Sequence, residues 1–316
     1  MKRMKLDSGL ASLAEQLKAR GLRPLNPTSA PLADCREMTE RIGAVLNEGS
    51  VPLQREHDLS VSGGRGNPVP CRLYLPDGAT RPPLVVYAHG GSFALGVLNS
   101  WDGMLRELVR ASGVAVLSVG YRLAPEHRFP AAFEDMLSAV HYAAREAETL
   151  GIDPSRLAVG GDSAGGNLAL SAALALRDAG ASPLSFMLLI YGVYSTDNTT
   201  PSWAELGTGA YGLSAVQMDW IWANYLDSPA QRTDRRVAPL TAPMGGLPPT
   251  HLIVGNLDPL IDDSRALAQK LAAADVEHTL TIYEGLPHGF IRSGPYSDTV
   301  QRALAECAAA LAAAFG

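Results

Sequence analysis

Ser163 sits in Gly161-Asp162-Ser163-Ala164-Gly165, where its neighbours give it the means to act as a nucleophile. The apolar run Leu157-Ala158-Val159 precedes this stretch, and the Ala- and Leu-rich segment Asn167–Arg177 follows it. A buried strand should therefore turn directly into a helix at the serine. Such a turn holds the hydroxyl clear of the sheet, above the N–H groups of the new helix. Because a serine hydroxyl is a weak nucleophile, it needs a base to take its proton and an acid to orient that base.

Of seven histidines, His288 is the best placed. It follows the final strand segment, in Gly285-Leu286-Pro287-His288-Gly289-Phe290, on the edge toward which Ser163 should point. His57, His251 and His278 stand at the starts of strands, on the opposite edge, and His141 falls inside a helix. His127, in the loop Tyr121–His127, is the one rival on these grounds. Asp258 follows the strand segment Leu252–Val254 and is favoured as the acid because it is nearest the strand end. Asp262 and Asp263 are the alternatives, with capping of the next helix as their other use. His89-Gly90-Gly91-Ser92-Phe93, after the strand Leu84–Ala88, and Ala164 offer backbone N–H groups for an oxyanion.

Eight strand segments are expected, at about residues 56–61, 69–75, 84–88, 114–119, 157–159, 186–191, 252–254 and 279–283. The first two flank the turn-rich Ser62–Pro68 and should form an antiparallel hairpin. The others alternate with helices near 100–110, 131–150, 264–274 and 299–315. That order predicts an α/β fold with a mainly parallel eight-stranded sheet, helices on both faces, and sites beyond the carboxyl ends of the strands. Two amphipathic helices come before any strand. One spans about residues 5–20; the other, capped by Asp34, runs to about Leu46. From Ser195 to Pro249 no buried strand is visible, and Ser214–Leu226 reads as a helix capped by Ser214. This aromatic-rich interval, which also carries Trp222 and Tyr225, is expected to be a lid over Ser163. The pocket candidates are Phe93, Trp203, Tyr211 and Trp220.

Four stretches together resemble the bacterial hormone-sensitive-lipase-like esterases, a branch of the α/β-hydrolases. They are His89–Phe93, Gly161–Gly166, Asp258–Asp262 and His288–Phe290, supported by Tyr121–Pro130 with Asp135 after it. The likeness covers about residues 70–316 and is nearest to acetyl esterases acting on short acyl chains. It implies Ser163 as nucleophile, Asp258 as acid and His288 as base. It also implies an oxyanion hole of Gly91, Ser92 and Ala164, with Gly90 shaping the loop. The resemblance implies a cap of residues 1–50 and 195–249 over a catalytic core of 51–194 and 250–316, and a homodimer through the sheet edge. Where the family carries a third glycine this chain has Ser92, which a left-handed backbone would strain.

The expected activity is cofactor-free hydrolysis of short-chain carboxylic esters through an acyl-serine. An arylformamidase-like amide hydrolase shares the fold, triad and H-G-G loop and is the second reading. A non-catalytic receptor is the third; plant gibberellin receptors resemble this family without a complete triad. Composition is that of an ordinary globular chain of 316 residues, 47% apolar and 18% charged. The net charge of −6 and the lack of basic runs argue against nucleic acid. Cys35, Cys71 and Cys307 are far apart, which fits a reducing compartment, and no metal-ligand spacing is present. The basic start Met1–Asp7 lacks the apolar stretch of a signal peptide, and no run is long enough to span a membrane. The cytoplasm is the expected location.

Overall fold

Strands that are apolar at every position need cover on both sides, and this sequence supplies it with helices on each face. The computed structural model describes residues 5–180 and 182–316; Met1–Met4, part of the basic start, lie outside them. Eight strands form one sheet in the spatial order β1-β2-β4-β3-β5-β6-β7-β8. β1 (Arg55–Ser62) and β2 (Pro68–Leu75) are the antiparallel hairpin, and β2 also runs antiparallel to β4. β3 (Leu84–Ala88), β4 (Ala115–Val119), β5 (Leu157–Asp162), β6 (Leu184–Ile190), β7 (Thr250–Leu257) and β8 (His278–Pro287) are mutually parallel. β3, β4 and β5 are buried along their whole length. β8 closes one edge of the sheet, and Ile282 on it is exposed.

Ten α-helices complete the described structure. α1 (Ser8–Ala19) is capped by Asp7, whose Oδ1 accepts from Gly9 and Leu10, and it buries Leu10, Leu13 and Leu17. α2 spans Leu32–Leu46 and begins after Pro31 rather than at Asp34. Proline fixes the entry dihedral for a helix start, so Asp34 falls within the first turn, where its charge still suits the dipole. The remaining helices are α3 (Asp102–Ser112), α4 (Ala131–Arg145), α5 (Ala147–Leu150), α6 (Ala164–Asp178), α7 (Pro201–Leu206), α8 (Ala215–Tyr225), α9 (Ile261–Ala273) and α10 (Asp298–Phe315). The single helix expected over 131–150 is thus two, broken at Glu146.

The helices divide between the faces. α4, α6, α9 and the 195–249 interval pack in one apolar cluster, and α1, α2, α3 and α10 in the other. The N-terminal segment and the later insertion therefore approach the carboxyl edge of the sheet from opposite sides. A groove of about 220 Å³ lies where they meet. Pro24, Leu25, Pro27, Thr39 and Ile42 line it from one side and Gly212, Leu213, Gln217 and Ile221 from the other.

Candidate active site

The turn from β5 into α6 is too tight for any side chain at two of its glycines. A Cβ at Gly165 would lie 1.9 Å from the Ala88 carbonyl oxygen, and one at Gly161 would lie 2.4 Å from the Gly165 carbonyl. Ser163 itself takes φ 55, ψ −117, outside the favoured regions for an L-residue. Its N–H donates to the Ile190 carbonyl at 2.9 Å, so the neighbouring strand holds the strained residue in place. This geometry lifts Oγ toward His288, whose Nε2 is 2.8 Å away.

His288 follows β8 and is fixed at three points. Its Nδ1 is 2.8 Å from Asp258 Oδ2, its backbone N–H donates to the Tyr211 carbonyl at 3.2 Å, and its ring meets Tyr191 edge-on. Asp258 is fully buried after β7, with its other oxygen accepting from the Leu260 N–H at 2.8 Å. Burial alone would lower the His288 pKa. The charge and hydrogen bond of Asp258, with the more distant charge of Asp162, outweigh it and hold the imidazole above its ordinary value. A hydroxyl, an imidazole and a buried carboxylate in this relay can pass a proton from oxygen to nitrogen while the imidazolium is stabilised.

The alternatives are spent elsewhere. Asp262 accepts from the Ser202 N–H and pairs with Arg265, and Asp263 accepts from the N–H groups of Tyr194 and Ser195. Burial, and the charges of Asp258 and Asp197, push the Asp263 carboxyl up to about 7 despite those two bonds. His127 is exposed in its loop.

The loop after β3 presents a row of N–H groups. Among the described residues, no acceptor pairs with the N–H of Gly91, Ser92 or Ala164. Gly91 has φ 118, and a Cβ there would be 2.2 Å from the Leu95 carbonyl oxygen. Ser92 is left-handed at φ 59, and so is Phe93 at φ 57, which the sequence did not suggest. Gly90 stands apart from the other three because its N–H already donates to Asp162 Oδ1 at 2.9 Å. A Cβ on Gly90 would be 2.4 Å from Asp162 Oδ2, so this glycine lets the carboxylate come close.

Asp162 is the anchor that sequence reasoning missed. It is buried and also accepts from the Tyr87 hydroxyl at 2.9 Å and Trp101 Nε1 at 3.0 Å. Burial raises its pKa, against the hydrogen bonds from Tyr87 and Gly90 and the charges of Arg292 and His288. His89 is stacked between Trp101 and Tyr121, and its Nδ1 meets the Gly90 carbonyl at 2.6 Å. Burial pushes the His89 pKa down to about 4, so this imidazole is neutral and Nδ1 carries the proton it shares with that carbonyl.

A second, much smaller cavity adjoins Ser163, with about 10 Å³ of space, about what a single water needs. Its walls are Ser92, Phe93, Ala164, Val193, Leu213, Met218, Ile221 and Leu260. Of the expected pocket aromatics only Phe93 lines it. Trp203 is buried in the core beneath, and Trp220 packs against that core from the half-exposed side of α8. Tyr211 meets the site through its carbonyl rather than its ring. The residues of α8 that turn inward are Met218, Ile221, Trp222 and Tyr225, spaced at three, four and seven. That helical stripe was available in the sequence and excludes Trp220. Trp101 and Arg292, which also line the groove, had no sequence signal. No group of three metal-ligating side chains occurs among the described residues, and none of their helices is long and apolar enough to cross a membrane.

A serine–histidine–aspartate relay at the carboxyl edge of this sheet defines an α/β-hydrolase. A family model described as the alpha/beta hydrolase fold matches residues 85–292. The chain is 36% identical over 299 residues to an ethyl acetate hydrolase of Pseudomonas putida, covering 92% of this chain and 93% of that protein. It is 38% identical to carboxylesterase NlhH of Mycobacterium tuberculosis, covering 71% of each. A hyperthermophilic esterase of the archaeon Pyrobaculum calidifontis superposes with a TM-score of 0.91 at 35% identity, covering 98% of this chain and 99% of the other. The chain belongs to the hormone-sensitive-lipase-like esterases, the carboxylic ester hydrolases of this fold.

Proposed function

We propose that the protein hydrolyses short-chain, acetyl-like carboxylic esters through an acyl-enzyme on Ser163. Ser163 Oγ attacks the ester carbonyl as His288 Nε2 takes its proton. Asp258 holds the imidazole in the tautomer that leaves Nε2 free to accept, then faces the imidazolium. The N–H groups of Gly91, Ser92 and Ala164 bind the oxyanion, each such donor being worth on the order of 3 kcal/mol of barrier. His288 then protonates the leaving alcohol, and water releases the acid by the same steps in reverse.

The observation that carries this reading is the unbroken relay, 2.8 Å from Ser163 to His288 and 2.8 Å from His288 to Asp258, beside three N–H groups that meet no acceptor among the described residues. The leaving oxygen must reach His288. The alcohol therefore belongs in the groove that His288 lines, and the acyl group in the small cavity that it does not. Room for about one water-sized group there suits an acetyl methyl. The Pseudomonas putida relative is an ethyl acetate hydrolase, which agrees with that size. Residues 1–50 and 195–249 act as the cap over the core of 51–194 and 250–316, because both segments wall the groove. A homodimer through the open edge at β8 and a cytoplasmic location, in keeping with three buried free thiols, complete the reading.

The test is hydrolysis of p-nitrophenyl acetate, butyrate and octanoate by the wild type and by Ser163→Ala. Turnover falling steeply with chain length, and abolished in the variant, is the expected result. Equal turnover in Ser163→Ala would refute the mechanism. Hydrolysis of N-formylkynurenine with no ester turnover would move the enzyme to amide chemistry.

A further inference from the structure

The catalytic groove is walled by one permanent cation. Arg292 lies four residues after His288, in the 3-10 turn Phe290–Tyr296, and is the sole arginine or lysine among the described residues that line the groove. Other half-buried arginines of this protein are matched to carboxylates: Arg72 to Asp58 and Asp102, Arg106 to Glu56, Arg122 to Asp135. Arg292 is not. Among the described residues it makes one hydrogen bond, from Nη1 to the Ser100 carbonyl at 3.2 Å, and no carboxylate lies within ion-pair distance. Asp162, which also lines the groove, takes its bonds from Tyr87, Gly90 and Trp101 on Oδ1 and a 3.5 Å contact from the Tyr191 hydroxyl on Oδ2, and it acts on Arg292 only through space.

A guanidinium has five N–H donors in one plane, and four of these are unused. Its Cζ lies over the Trp101 ring, 4.3 Å from the ring centre, a cation–π contact that holds the group in place. Behind it opens a second cavity of about 700 Å³, which Arg292 also lines with Met104, Glu107 and Leu304. Arg292 thus lines both spaces, with one hydrogen bond among the described residues. Such a fork is suited to a carboxylate.

We propose that Arg292 recognises the alcohol half of the substrate and selects esters whose alcohol carries a carboxylate or a similar anion. This rests on the serine-esterase reading above, which assigns the alcohol to the groove lined by His288 and Arg292. The consequence is a substrate class: acetyl esters of hydroxy acids, cleaved to acetate and the free hydroxy acid.

Two matched pairs test it at different reach: acetoxyacetate against acetoxyacetamide, and para-acetoxybenzoate against para-acetoxybenzamide. Each kcat/KM is divided by the rate of alkaline hydrolysis of the same ester, to remove leaving-group reactivity. In the wild type at least one anion is expected to be preferred over its amide by about tenfold or more, the scale of a hydrogen bond to a charged group. Added salt should weaken the preference, and Arg292→Gln should bring the ratio to about one. The ratio is internal, so it can be read whatever the variant's overall rate. A variant that slows both members equally would overturn the proposal and leave Arg292 as charge balance for Asp162. Should Arg292→Gln not fold, inhibition of the wild type by para-hydroxybenzoate and para-hydroxybenzamide decides instead. Equal inhibition overturns the proposal; stronger inhibition by the acid, lost in high salt, supports it. Neutral esters turned over with no anion preference would sink this inference alone, whereas no ester turnover at all would sink the esterase reading beneath it.

Discussion

Met218→Ala is the substitution that most directly tests the division of the site into two cavities. Met218 lies on α8, is 3% exposed, and forms a wall of the small cavity without lining the groove. Its truncation opens space where an acyl chain would grow and leaves the relay untouched. Each methylene taken from water is worth about 0.8 kcal/mol, and butyrate has two more than acetate. The ratio of kcat/KM for p-nitrophenyl butyrate over acetate should therefore rise by roughly 4-fold if one methylene is buried and about 15-fold if both are. Acetate cannot use the new space and serves as the reference. The substitution should cost roughly 2–5 kcal/mol of stability, so thermal unfolding must first show that the variant is folded at the assay temperature. A folded Met218→Ala enzyme with the wild-type ratio would mean that the small cavity does not hold the acyl chain. The same result for Ile42→Ala, on the groove side, is expected, because that residue should alter preference among alcohols instead.

The His288 imidazole is held above its ordinary pKa and must be neutral to act, so kcat/KM should rise with pH through a midpoint above that of free imidazole. Asp258→Asn removes the main raising influence. It should move that midpoint down while lowering the rate by ~10³–10⁴-fold, and a wild-type midpoint below free imidazole would contradict the assignment. Ser92→Gly should stabilise the protein by about 1 kcal/mol in urea unfolding, since a left-handed residue costs roughly 1–2 kcal/mol and added chain entropy returns part of that. A lower urea midpoint would show that the serine is held there by something other than tolerance of strain. The Tyr225 hydroxyl is buried without a partner among the described residues, while its ring stacks on Phe93 at 3.9 Å. Tyr225→Phe should therefore keep the wild-type kcat, and Tyr225→Ala should lower kcat by up to ~10²-fold with little change in KM. Equal kcat in the two variants would uncouple that ring from the oxyanion loop.

The relay could be read from the sequence because its members are tied to topology. Ser163, Asp258 and His288 each follow a strand of the parallel part of the sheet, where all such positions converge on one edge. Chain order then matters little, since 125 residues separate Ser163 from His288. What could not be read was decided by side-chain direction across long separations. The sequence pattern assigned Asp162 no role, yet it gathers Tyr87 and Gly90 from β3 and the loop after it, and Trp101 from the turn before α3. Aromatic density between Ser195 and Pro249 marked the interval but not which residues turn inward; Trp203 lies in the core and Trp220 packs against it. The break at Glu146 was hidden because Ala143, Ala147 and Leu150 continue the buried stripe through it. Periodicity reports which face is buried and says little about whether the helix carrying it is continuous.

One helix links selectivity to catalysis in this molecule. Two consecutive non-glycine residues, Ser92 and Phe93, hold left-handed conformations that persist only when their surroundings fix them. The surroundings are specific: the Phe93 ring lies parallel to Tyr225, tilts against Trp222, and its carbonyl accepts from the Ala124 N–H at 2.8 Å. Tyr225 and Trp222 belong to α8, and so do Met218 and Ile221, which wall the small cavity. A shift of α8 large enough to admit a longer acyl chain would also move the ring that holds Phe93, and with it the N–H of Ser92. On the proposed mechanism, room for the acyl group and alignment of the oxyanion donors are therefore not independent quantities. Truncating Met218 widens the cavity with the helix in place; displacing the helix would widen it at the expense of the oxyanion loop.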